Sequence, residues 1–346
     1  NYTNERFGMD ATLGNLGFRD SVEDLCKSLR LAGVQWVRER LDTRGYSESD
    51  GSYSIDNAGN SKYAYTMLKK YGLKVHPMIT GSPEYLMTDE AKGDFVSSDL
   101  IGLYNLYKQM GDDYVGLVDS WELQNEPEAV YDLSPSETGD KFHNMMKAMS
   151  IGFQDSKSEA LITTSGFAPV NANILDLFFR NETYKYVDVL THHAHASYVD
   201  NVSLQTLPHT EPFNVNDLIE KYGVKDMEVW NDEAGMNIKD ADDIKTQRRQ
   251  AEYMVISNVQ ALRFAEKFFI YIFKHKQAGA SVYDTKNHGP RRAYASYSAM
   301  TDILGEANYL GDVKGLLDNE YGYVFENDDK NIMVLFASRS EEHTSE

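Results

Sequence analysis

Two glutamates stand where apolar strands give out. Glu126 lies in "WELQNEPE" (121–128), between an asparagine and a proline, just past the end of an apolar run. Glu233 lies in "MEVWNDEAG" (227–235), at the end of a run of the same texture. An ionisable acid so placed is costly unless it is paired or used for chemistry. Two such acids facing one pocket suit glycoside hydrolysis: one protonates the leaving oxygen while the other attacks the sugar or activates water. Two alternatives stay open. Asp232 adjoins Glu233 and could be the working acid, because alternation is insecure at a frayed strand end, and Glu126 could be half of a structural ion pair.

A histidine run, "VLTHHAHASY" (189–198), ends another strand-like segment. Period-two alternation puts His193 and His195 on one face and His192 on the other. Paired imidazoles suit zinc, but "RFGMDATLG" (6–14) carries no His-x-His to complete such a site. Hydrogen-bonded histidines lining a pocket are the plainer reading. With no such His-x-His, no metal is expected; there is no Gly-rich phosphate loop, and no cofactor is expected. Tyr85 in "GSPEYL" is the candidate sugar platform. Trp121 and Trp230 have the opposite parity to their acids and are expected to pack outward against helices.

These residues need a frame that brings distant strand ends together. Three stretches, 25–41, 65–79 and 218–235, each run helix, glycine, strand, with Gly33, Gly72 and Gly223 where a left-handed residue ends a helix. The apolar, β-branched runs that follow suit strands buried on both faces. Eight strands are expected, at about 6–11, 34–41, 74–80, 117–126, 160–167, 187–195, 227–234 and 267–274, with helical patterns between them. That alternation predicts an α/β fold, a (β/α)8 TIM barrel, whose strand ends form one active face. Glu126 then ends the fourth strand and Glu233 the seventh. Past the last barrel helix, 321–338 reads as a hairpin turning at "ENDDKN", a partial β-hairpin or truncated β-sandwich. The expected division is a barrel over 1–311 and accessory strands over 312–338. Residues 339–346, "RSEEHTSE", match the translation of a sequencing adapter and are set aside as an artefact of cloning or assembly, the natural gene being expected to continue past Ser338.

Bulk properties narrow the partners. A chain of 346 residues with 41% hydrophobic and 12% aromatic content can build a large core, and no apolar run reaches membrane-spanning length. A net charge of −20 disfavours nucleic acid and anionic membranes and fits a neutral or cationic substrate. Cys26 is the only cysteine, set in an amphipathic helix, so no intramolecular disulfide is possible. The chain opens on Asn1, as removal of a leader would leave it, although no leader is visible.

The motifs resemble those of glycoside hydrolase clan A over nearly all of 7–311. "WELQNEPE" resembles the clan's acid/base motif with its Asn-Glu-Pro, and "VWNDEAG" its nucleophile motif. "AGVQWVRERLD" (32–42) resembles its second strand, where an arginine supports the nucleophile, and 290–311 resembles the last helix of family 39-like and family 5-like members. The resemblance implies a retaining hydrolase with Glu126 as acid/base and Glu233 as nucleophile, their carboxyls about 5–5.5 Å apart. Glu126 should hold a proton near neutral pH and Glu233 should be ionised beside Arg38, with Arg40 on the same strand face as the alternative. Asn125 should meet the sugar 2-hydroxyl.

Two departures stand out. His195 occupies the place of a tyrosine that usually bonds the nucleophile, a role Tyr198 could take. The tryptophan floor at strand eight is missing, with Phe273 or His275 in its place. No residue fixes the sugar. Endo action on a β-glucan-like polysaccharide is the favoured form, exo action on oligosaccharides or a non-catalytic carbohydrate-binding barrel the alternatives. The partner is a carbohydrate, and a secreted or periplasmic location follows from such a substrate.

Overall fold

The computed structural model describes residues 5–14, 21–46, 60–86, 97, 99–129, 137–168, 172–193, 195, 219–224, 227–274, 279–284, 289–327 and 330–337. Eight parallel strands close into a barrel in chain order: β1 Phe7–Asp10, β2 Trp36–Asp42, β3 Lys74–Thr80, β4 Ser120–Glu122, β5 Leu161–Thr163, β6 Val189–His193, β7 Glu228–Ala234 and β8 Lys267–Ile270. β1 pairs with both β2 and β8, which removes the free edges. Helices such as Val22–Leu31, Ser61–Lys70, Leu100–Asp113 and Ile244–Ala261 connect them. Gly33, Gly72 and Gly223 have φ of +79°, +71° and +66°, the left-handed stop that the helix–glycine–strand pattern predicts.

Alternation divides the strand residues between two environments. Val37, Val75, Trp121, Ile162, Leu190, Val229 and Phe268 face the helices in one large core. Trp121 stacks on Phe153 with ring centroids 4.5 Å apart, as its parity predicts. Trp36, Val189, Trp230 and Phe269 form a separate buried cluster that plugs the barrel interior. Trp230 therefore contradicts its expected outward packing and meets Trp36 edge-on at 5.0 Å. The cause is a bulge in β7: its register shifts between His192 and His193 against β6, and between Asn231 and Ala234 against β8. Parity counted back from Glu233 fails across the extra residue, and Asp232 and Glu233 both turn inward.

Two short strands, β9 Tyr283–Asp284 and β10 Gly289–Pro290, pair beyond the barrel. The chain then forms an antiparallel sheet of β11 Asn308–Asp312, β12 Glu320–Asn327 and β13 Lys330–Ala337. β12 and β13 are the expected hairpin, and β11 adds a third strand. Tyr323, Phe325 and Ile332 bury one face of this sheet into the main core.

Candidate active site

β4 is three residues long, so Glu126 lies four residues past its end and not on the strand. The backbone between them is irregular, with φ of +84° at Gln124 and +41° at Glu126. Each left-handed non-glycine residue costs on the order of 1–3 kcal/mol, and such costs persist where surrounding structure fixes the chain. Gly166, just past β5, supplies that fixing. Its carbonyl accepts the Glu126 N–H at 3.0 Å, and Asn125 and Gly166 form a parallel bridge. A Cβ at Gly166 would overlap the His193 imidazole, so only glycine leaves that ring its place.

The centre of the site is Arg38, fully buried on β2. Its Nε donates to Glu122 Oε2 at 2.6 Å and its Nη2 to Glu122 Oε1 at 2.8 Å, a bidentate pair. Nη1 donates to Asp10 at 3.0 Å and to Glu233 Oε2. Nη2 also donates to Asn125 Oδ1 at 2.8 Å. Burial opposes the charge on Arg38, but Glu122 and Glu233 more than offset it and hold the guanidinium charged. Arg40 is not a substitute for Arg38 but a second cation. It bonds both oxygens of Asp10 at 2.6 Å and stands 3.7 Å from Glu233.

Glu233 is 7% exposed. Burial pushes its carboxyl up, yet His193, Arg38, His195 and Arg40 together hold it well below the usual carboxylate range, so it is ionised. His195 Nε2 lies 3.1 Å from Glu233 Oε1, which gives the imidazole the contact that the sequence left between it and Tyr198. Tyr198 and His275 lie outside the described residues.

Glu126 departs from expectation in its proton. Its Oε1 lies 2.8 Å from His193 Nδ1, and this hydrogen bond lowers its pKa despite partial burial. His193 is fully buried. Burial alone would lower its pKa, but Glu233, Glu126 and Asp232 raise it to about 9. The proton expected on Glu126 thus rests on His193, because three carboxylates surround that one imidazole.

Tyr85 stands in the turn Glu84–Leu86 past β3, 37% exposed. Phe273 is not a sugar floor: it is fully buried in the helix-facing core, where it packs against Tyr283 at 5.2 Å. The chain turns outward after β8, and Tyr271 is the aromatic that reaches the site, edge-on to His195 at 5.7 Å. Burial, Asp10 and Glu233 push its hydroxyl up to about 12.

Sequence reasoning also passed over Asp10, Glu122, His76 and Gly166. The available signal was parity: Trp36, Arg38 and Arg40 share one face of β2, and an arginine inside a barrel needs carboxylate partners.

One ligand atom from each of Glu126, His193, His195 and Glu233 lies within 4.8 Å of the others, a donor set of metal-binding type. The surroundings do not suit a cation. Arg38 already occupies Glu233, Arg40 stands beside it, and Nδ1 of His193 is committed to Glu126. Two acids and a polarised asparagine around a fixed guanidinium suit acid–base and nucleophilic chemistry without a bound ion.

No protein-family profile and no curated protein matches the sequence. Solved structures do. A family 39 glycoside hydrolase from Bacteroides cellulosilyticus WH2 superposes with a TM-score of 0.77 at 13% identity, covering 98% of this chain and 72% of its own. A family 30 subfamily 8 xylanase from Clostridium acetobutylicum gives 0.69 at 15%, covering 96% and 80%. A family 5 subfamily 18 protein from Bifidobacterium longum, in complex with Manβ1-4GlcNAc, gives 0.65 at 13%, covering 86% and 78%. At these identities the likeness establishes a shared fold: the chain is built on the same barrel as these clan A glycoside hydrolases.

Proposed function

We propose that the chain is a retaining glycoside hydrolase of β-linked neutral glycans, with Glu126 as acid/base and Glu233 as nucleophile. One observation carries the reading: an oxygen of Glu126 and an oxygen of Glu233 come within 4.8 Å at the barrel mouth. Retaining enzymes hold their two carboxyls about 5–5.5 Å apart, whereas inverting enzymes leave about 6.5–9.5 Å for a water. The xylanase and the Manβ1-4GlcNAc complex among the structural likenesses support a β-linked substrate.

The contacts support each step. Glu233, ionised by Arg38, attacks the anomeric carbon while Glu126 protonates the leaving oxygen, giving a glycosyl-enzyme ester. Glu126, now a carboxylate, takes a proton from the water that attacks this ester. Asn125 has its oxygen committed to Arg38, so its amide nitrogen is the end that donates to the 2-hydroxyl. Tyr271 and Tyr85 are the aromatic faces for sugar subsites.

The finer form of the proposal is endo action on a β-glucan-like polysaccharide. The connections at 42–60 and 196–214 are long enough to build either a cleft or a cap, and most of their length lies outside the described residues. The test is product chromatography on β-glucans, mannans and xylans, with proton NMR of the first product. The expected result is an oligosaccharide ladder with retained β-anomer, absent in Glu126→Gln and unaffected by a chelator. Monosaccharide alone would make the enzyme exo-acting. An inverted anomer, or activity untouched in both Glu126→Gln and Glu233→Gln, would overturn the reading.

A further inference from the structure

Below the two acids, Asp232 points into the barrel on the same face of β7 as Trp230. It is fully buried, and neither carboxylate oxygen has a hydrogen bond. Its Oδ1 lies 3.5 Å from His193 Nε2 and its Oδ2 3.5 Å from His76 Nε2. His76 is itself fixed from behind, with Nδ1 2.7 Å from Ser120 Oγ and Nε2 3.5 Å from Glu122 Oε2. A buried carboxylate without donors is costly, and the donor-capable groups aimed at Asp232 are these two imidazole edges. A line of contacts therefore runs from the closed interior to the mouth, through His76, Asp232, His193 and Glu126.

Resting on the glycosidase reading, we propose that Asp232 is a positioning residue of a proton relay: it keeps His193 loaded with the proton that Glu126 delivers to the leaving oxygen. Three observations support this. First, His193 is fully buried, whereas the Glu126 side chain is 30% exposed, so Glu126 is the member of the pair that meets substrate and solvent. Second, among the described residues five carboxyl groups, Asp10, Glu122, Glu126, Asp232 and Glu233, meet two guanidinium groups, Arg38 and Arg40. A proton on His193 is the compensation this excess calls for. Third, Nδ1 of His193 faces Glu126 at 2.8 Å, while Nε2 lies 3.3 Å from Arg38 Nη2 and 3.5 Å from Asp232 Oδ1, so Asp232 is the anion that offsets the guanidinium at that edge and favours the imidazolium.

The groups facing His193 are Arg38 from β2, Glu122 from β4, Glu126 and Glu128 beyond it, Asp232 and Glu233 from β7, and His195 two residues on.

The transfer conserves charge. The proton on Nδ1 passes to Oε1 of Glu126, leaving neutral His193 and a neutral carboxyl. As the glycosidic C–O bond breaks, that proton goes to the departing oxygen and Glu126 is again a carboxylate. In the second half-reaction Glu126 takes a proton from the attacking water and returns it to His193.

Imidazole nitrogen NMR on the full chain tests the relay without needing turnover, with His193 assigned by its loss in His193→Gln. At pH 7 both ring nitrogens of His193 should be protonated. In Asp232→Asn the midpoint of its titration should fall by about one pH unit or more, since a neighbouring charge is lost while shape is kept. The alkaline limb of kcat/KM should fall with it. A neutral His193 at pH 7 in the unsubstituted protein overturns the relay even if Asp232→Asn does not fold. An unchanged midpoint in a folded Asp232→Asn also overturns it. Failure of the glycosidase reading shows separately, as absent hydrolysis with the NMR result intact.

Discussion

Glu233 and Glu126 are presented by opposite means. Glu233 sits within the bulged strand β7, in a closed network of two guanidinium groups and two imidazoles, with almost no exposure. Glu126 sits past a strand that has already ended, on a turn with two left-handed residues, and keeps nearly a third of its side chain in solvent. A nucleophile needs a fixed charge and gains from rigidity, while an acid/base must exchange a proton and reach the leaving group. On the proposed assignment, the barrel answers the first need with a strand and the second with a pinned turn.

Glu233→Gln should break the comparison most severely, lowering kcat/KM on the order of 10⁴-fold or more, read by initial rates on an activated aryl β-glycoside. Arg38→Met should rank next. It leaves Glu122 buried without its bidentate cation, which typically costs about 3–5 kcal/mol, read by urea denaturation. The pH dependence of stability follows from the histidines. His193 is raised to about 9, so its contribution is full below about pH 6.5 and is lost as pH climbs through 9. From that shift, about 3 kcal/mol should vanish across this window. His76 is lowered to about 4 by burial, so it acts in the other direction, and stability should fall as pH drops below about 6.5. Denaturation midpoints measured from pH 4 to 10 check both limbs.

Gly166→Ala should sharpen the comparison at the Glu126 end alone. The added methyl displaces His193, costing about 1–3 kcal/mol as overpacking does, and should weaken proton donation while leaving Glu233 ionised. Comparing aryl glycosides with good and poor leaving groups would show this, the poor one losing more. Tyr85→Ala should do least, changing stability within about 0.5 kcal/mol and raising KM on polysaccharide, as measured by a substrate titration.

The sequence made some of this plain and hid the rest for identifiable reasons. Helix–glycine–strand repeats and eight apolar runs made the barrel legible, because each unit carries its own stop and its own period. Glu126, Glu233, Arg38, Asn125, His193 and His195 were legible because their motifs are local, and the structure brings all six together. Trp230 was misread because a one-residue bulge reverses parity without any local mark. Phe273 was misread because β8 ends at Ile270, so counting along an unbroken strand runs past the turn that puts Tyr271 in the site. The site of the proton was hidden because it depends on how many carboxylates converge on one imidazole, which only the closed barrel determines.

The most direct test of the central claim is intact-protein and peptide mass spectrometry after incubation with 2,4-dinitrophenyl 2-deoxy-2-fluoro-β-glycosides of glucose, mannose and xylose. The expected result is a one-sugar adduct, formed with at least one of these, on the peptide containing Glu233 and absent in Glu233→Gln. An adduct carried by Asp232 or Glu126, or adduct formation that persists in Glu233→Gln, would contradict the assignment of Glu233 as nucleophile.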